Sequence, residues 1–72
     1  MTYGERAYAF FSEYVKIPKD WGNTLDADCI KELCKFLLDQ AVFASYDDIR
    51  EYALKEADII LPYSLEVDYA KE

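Results

Sequence analysis

Ile30, Leu33, Cys34, Leu37, Leu38 and Ala41 recur at i, i+3, i+4, i+7, i+8 and i+11. This spacing constrains the fold more than any other feature. It lays six apolar side chains along one stripe of an α-helix, and a stripe of that kind must be buried against other elements. Asp26 is placed to cap this helix, and Leu25 before the cap can pack on Ile30 as a hydrophobic staple. Phe36 and Phe43 fall off the stripe and either widen the apolar surface or mark a contact.

The flanking segments supply the partners. Tyr3, Ala7, Phe10, Phe11 and Tyr14 share one helical face, which predicts a first helix over roughly Tyr3 to Lys16. Pro18 biases Ile17 away from helical dihedrals and should end it. Lys19 to Thr24 reads as a loop turning at Gly22-Asn23. Ser45 and Asp48 resemble a capping box with a shortened acid. They open a third helix that runs to about Ala57, with Tyr46, Ile49, Ala53 and Ala57 inward. Ile59-Ile60-Leu61 then leads to Pro62. Beyond it Tyr63, Leu65, Val67 and Tyr69 alternate with polar or small residues, the period of a strand. A lone strand needs a partner, so a short final helix is the alternative. With 72 residues, a core needs most of the chain. The expectation is a mainly α fold: a small three-helix domain over residues 1–72, with a short C-terminal strand or a fourth helix.

Cys29 and Cys34 lie five apart, about 140° around a helix axis, so their thiols diverge and should stay unpaired. Two free thiols suit a reducing compartment. Glu5, Arg6 and Glu13 interrupt any secretory apolar core, and the uncharged run from Gln40 to Tyr46 is far too short to span a membrane. The expected location is the cytoplasm.

Charge narrows the function classes. The net charge is −7 from 15 acids and 8 bases, which disfavours direct contact with nucleic acid or an anionic membrane. Residues 1–37 hold six acids and five bases, whereas residues 38–72 hold nine acids and three bases. The excess therefore belongs to the third helix and the tail. At 100° per residue from Asp47, Asp58 falls near 20°, Glu51 near 40° and Asp48 near 100°, with Lys55 the one base in that sector. A solvated face whose first-turn acids favour the helix dipole explains Asp47 and Asp48 but not Glu51 or Asp58. A row of phosphate stand-ins accounts for all four, because carboxylates four positions apart rise about 6 Å, close to the phosphate step of an extended strand.

Catalytic chemistry finds little support. The chain has no histidine, which removes Ser-His, Cys-His and imidazole-metal schemes. A calcium loop starting at Asp26 would need glycine and glutamate where Lys31 and Leu37 stand. Two thiols make a poor zinc site, and there is no glycine-rich phosphate loop. Helices two and three could form a helix-turn-helix, but the recognition helix would carry acids where phosphates lie. No enzymatic activity, cofactor or metal is expected. Twelve aromatic side chains are more than a domain this size can bury. Tyr46, Tyr52 and Trp21 are candidate apolar anchors at an interface.

The run Ile17-Pro18-Lys19-Asp20-Trp21-Gly22-Asn23-Thr24-Leu25-Asp26-Ala27 resembles the helix–loop–helix of the barstar family of ribonuclease inhibitors. The likeness covers eleven residues. It departs where that family has an initial strand and an aromatic-acid pair after the alanine, since Asp28-Cys29 follow here. It implies Asp26 alone as a contact.

The expected function is that of a non-enzymatic acidic inhibitor. It would occupy the basic nucleic-acid-binding surface of a nuclease or related enzyme as a DNA mimic, in the manner of phage anti-restriction or anti-CRISPR proteins. Asp47, Asp48, Glu51 and Asp58 would carry the contact. The alternative is an assembly protein forming a homodimer through exposed aromatics and the C-terminal segment.

Overall fold

A computed structural model describes residues 2–62. Three α-helices follow one another, α1 (Tyr3–Ser12), α2 (Ala27–Asp39) and α3 (Tyr46–Ala57), with a 3-10 segment at Lys19–Thr24 between the first two. The chain is thus a mainly helical three-helix fold, with no strand among the described residues. The alternating segment 63–69, expected as strand or fourth helix, lies outside them.

Each helix starts on a side-chain cap, which satisfies one of the amide donors that an N-terminus leaves without a helical partner. Thr2 Oγ1 accepts from the Glu5 amide at 3.2 Å, Asp26 Oδ1 from the Cys29 amide at 2.9 Å, and Ser45 Oγ from the Asp48 amide at 3.2 Å. The starts at Asp26 and Ser45 agree with the sequence. The end of α3 at Ala57 agrees as well, whereas α1 and α2 stop short of their patterns.

α1 stops at Ser12 rather than Lys16. The amides of Glu13 and Tyr14 tighten onto Phe10 and Phe11 in i→i+3 bonds, and the Ser12 hydroxyl donates to the Ala9 carbonyl at 2.9 Å. The helix therefore closes ahead of Ile17, the residue that Pro18 restricts, at a hydroxyl that competes for its own backbone.

α2 ends in a Schellman motif. The Ala41 amide donates to Leu38 O at 3.1 Å and the Val42 amide to Leu37 O at 3.0 Å, with Ala41 left-handed at φ 57. Ala41 is consequently exposed and leaves the stripe that its spacing assigns it to. Ile30, Leu33, Cys34 and Leu37 are buried as expected, and Leu38 packs against the core from its edge.

The connection before α2 also departs from a plain loop. It winds into 3-10 turns interrupted at Gly22, whose φ of +23 is a conformation that side-chain-bearing residues rarely adopt. Trp21, just before it, is half-buried and packs against the core.

The core joins all three helices to an extended strap, residues 59–62. Phe11, Ile30, Cys34, Leu37, Ile49 and Ile59 are fully enclosed. An apolar side chain of that size buried so completely contributes about 1.5–3 kcal/mol. Along the strap, Ile59 and Leu61 point inward and Ile60 outward, 75% exposed. Two tyrosines hold the strap in place: Tyr3 Oη donates to the Ile60 carbonyl at 3.3 Å and Tyr46 Oη to the Pro62 carbonyl at 3.1 Å. These bonds give carbonyls of a strandless segment partners from α1 and α3.

Candidate partner-binding surface

α3 is exposed on its outer face because, of its twelve residues, Tyr46, Ile49 and Ala53 are buried and Ala57 packs half-buried against the core. Asp47, Asp48 and Glu51 all lie on the exposed side. Asp47 and Asp48 stand in the first turn, beside amides that carry the positive end of the helix dipole. Asp48 and Glu51 line one shallow hollow with Phe43, Tyr52 and Lys55. Asp47 and Glu51 border a second with Arg50 and Leu54. The surface is thus acidic at its head, and its flanks mix exposed apolar side chains, Tyr52 at 39% and Leu54 at 50%, with the cations Lys55 and Arg50.

Two of the residues expected there belong elsewhere. Tyr46 is a core residue, 5% exposed, with its hydroxyl committed to the strap, so it offers no surface anchor. Its inward phase and its candidacy as an anchor are incompatible, and packing decides for the former. Asp58 does not extend the carboxylate row. Helical phase stops at Ala57, and Asp58 is the left-handed residue after it, at φ 55. Its Oδ2 lies 3.6 Å from Arg6 Nη1 of α1. Trp21 sits on the α1–α2 connection and partly in the core, on no element of this face. Asp26 serves α2 as its cap. Its hydrogen bond from the Cys29 amide holds the carboxyl below the usual aspartate range.

Behind the face runs a feature that the residue pattern did not announce. Tyr14, Phe43 and Tyr52 meet edge to face, with ring centroids 5.5 to 6.3 Å apart, and Phe10 continues the cluster at 5.4 Å from Tyr14. Such contacts favour the positive ring edge against the negative face. The cluster fixes Tyr52 where α3 approaches α1. There the two helices enclose a cleft of about 440 Å³. Ala9, Phe10 and Ala57 form its apolar lining, and Arg6, Glu13, Tyr52 and Glu56 its polar one. Burial, the Tyr52 hydroxyl and the charges of Glu13 and Glu56 push the Tyr14 phenol up to about 12.

Both cysteines are free. Burial pushes the Cys34 thiol up to about 12. Cys29 is raised by burial and by neighbouring Asp26. Neither has the lowered pKa of a nucleophile. Among the described residues, no group of three or more Cys, Asp or Glu side chains is arranged to hold a metal ion, and no helix is long and apolar enough to cross a membrane. No protein-family model, curated protein or solved structure matches the chain.

Proposed function

We propose that the chain is an acidic, non-enzymatic binding module, and that the α3 face occupies the basic nucleic-acid-binding surface of a partner enzyme as an inhibitor. The supporting observation is the exposed trio Asp47, Asp48 and Glu51, set against the Phe43–Tyr52 aromatic pair. Carboxylates supply the field that a cationic groove expects from phosphates, and adjoining rings supply area that costs little rotamer entropy. A nuclease is the kind of partner meant, as in anti-restriction or anti-CRISPR inhibition.

The test is inhibition of DNA cleavage by a panel of basic nucleases, at several salt concentrations. Wild-type protein should inhibit at least one of them, steeply less at high salt, and the triple variant Asp47→Asn, Asp48→Asn, Glu51→Gln should not. Equal inhibition by the folded triple variant, or none by the wild type, overturns the reading.

Self-assembly is the second reading, and one observation favours it. Ile60 and Leu54, both strongly exposed, border a groove with Arg50 and Pro62 that is mostly apolar. Association through it would survive high salt, and Ile60→Asp would abolish it in sedimentation. Salt-sensitive association, or none, excludes it.

A further inference from the structure

The α1–α3 cleft is separate from the acidic head of α3 and is built differently. Its apolar lining comes from Ala9 and Phe10 on α1 and Ala57 on α3. Glu13 projects from the end of α1 and Glu56 from the last turn of α3, so the two helices each bring one carboxylate to the same space. Tyr52 adds a ring and a hydroxyl, locked by its contacts with Phe10, Tyr14 and Phe43. Among the described residues, Arg6 is the one cation of the lining and leans toward Asp58 outside it, so the lining keeps an excess of one negative charge, Glu13 and Glu56 against Arg6.

We infer that this cleft receives an arginine side chain from the basic partner. The inference rests on the proposed binding of a basic protein and specifies which chemical group enters where. Charge complementarity selects the occupant: an apolar slot with carboxylates contributed from both walls suits a long aliphatic stem that ends in a cation. Arginine fits better than lysine because its planar guanidinium stacks on an aromatic face and donates in two directions at once, here to Glu13 and Glu56.

The probe is a blocked hexapeptide of alternating arginine and glycine, titrated into the 15N-labelled full chain. Its controls are the same peptide with citrulline, which is the neutral isostere, and with lysine in place of arginine. Amide shifts should cluster at Arg6, Ala9, Glu13, Tyr52 and Glu56. The citrulline peptide should cause none, and lysine should bind more weakly. Since two solvent-accessible ion pairs are lost, Glu13→Gln/Glu56→Gln should weaken binding about tenfold. Ala9→Leu, which fills the slot and keeps every charge, should weaken it as well. The Asp47→Asn/Asp48→Asn/Glu51→Gln variant should still take the peptide in the cleft. Shifts confined to α3's first turn and unaffected by the glutamate or Ala9 changes overturn the cleft and leave the acidic-face reading standing. No binding to the arginine peptide at low salt overturns the cleft, while nuclease inhibition tests the acidic face on its own.

Discussion

Arg6 of α1 and Asp58, the left-handed residue that ends α3, face each other at 3.6 Å. The contact joins the first helix to the entry of the strap, 52 positions later in the chain. Asp58 is 83% exposed, so the pair is screened, and exposed pairs of this kind are worth about 0.2–1 kcal/mol. The backbone of Asp58 matters as much. A left-handed residue with a Cβ costs roughly 1–2 kcal/mol, less for Asp or Asn than for alanine. Asp58→Ala should therefore destabilise more than Asp58→Asn, and Asp58→Gly should be the most stable of the three. Urea unfolding checks the order. An alanine variant equal to glycine would show that the left-handed turn is not held in solution.

Ala41 carries the same strain without any compensation. It sits at the glycine position of the Schellman motif, exposed, with no side-chain interaction that its replacement would remove. Ala41→Gly should raise stability by about 0.5–1 kcal/mol, relief of the left-handed conformation outweighing the extra freedom of glycine in the unfolded chain. A denaturation midpoint that stays or falls would contradict the turn geometry.

These two positions also explain what was legible in the residues and what was not. α2 could be read because cap and stripe agree: Asp26 caps the helix, and Leu25 before it is buried in the same core as Ile30, Leu33, Cys34 and Leu37. Its end could not, since helices commonly stop on glycine and this one stops on alanine. α3 ends at Ala57 as its spacing suggests, yet the 100° rule carried Asp58, the left-handed residue after it, onto a face that the backbone leaves there. Tyr46 was legible as a core residue from its phase but not as the tether of Pro62. That role depends on where the strap returns. The cleft was invisible for a related reason. Glu13 and Glu56 are 43 positions apart, and only the docking of α1 on α3 brings them to one space.

Tyr14 makes stability depend on alkaline pH. A phenol ionises near 10 in an unfolded chain, but in the fold Tyr14 is pushed up to about 12. Below pH 10 it is protonated in both states and its contribution is complete. From pH 10 to 12 the unfolded state loses the proton first, so stability falls as pH rises. Tyr14→Phe should flatten this part of the profile. Tyr3, raised by burial and Cys34, and the Cys34 thiol, pushed by burial up to about 12, will leave a residual slope of the same sign. Parallel profiles for wild type and Tyr14→Phe would remove Tyr14 as its source.

The thiols should differ from a free cysteine in opposite senses of access but the same sense of acidity. Cys34 is wholly enclosed, so a disulfide reagent at pH 8 should reach it only as fast as the protein opens. Cys29 is partly accessible in the first turn of α2, where the dipole lowers a thiol's pKa, but burial and Asp26 raise it instead. It should react more slowly than glutathione. Asp26→Asn keeps the cap and removes the charge, so it should speed Cys29 and leave Cys34 unchanged. Two rapidly reacting thiols in the native protein would contradict this packing.

Glu51 separates a structural role of the acidic face from a binding one. Asp47 and Asp48 lie in the first turn of α3, so neutralising either should cost about 0.3–1 kcal/mol through the helix dipole whether or not a partner exists. Glu51 lies beyond that turn. Its neutralisation removes an i,i+4 relation to Lys55 and relieves like-charge relations to Asp47 and Asp48, each worth about a few tenths of a kcal/mol and of opposite sign. Glu51→Gln should therefore leave the thermal midpoint almost unchanged and still weaken binding to a basic nuclease. If it alters neither stability nor binding while Asp47→Asn and Asp48→Asn alter stability alone, the face serves only the helix.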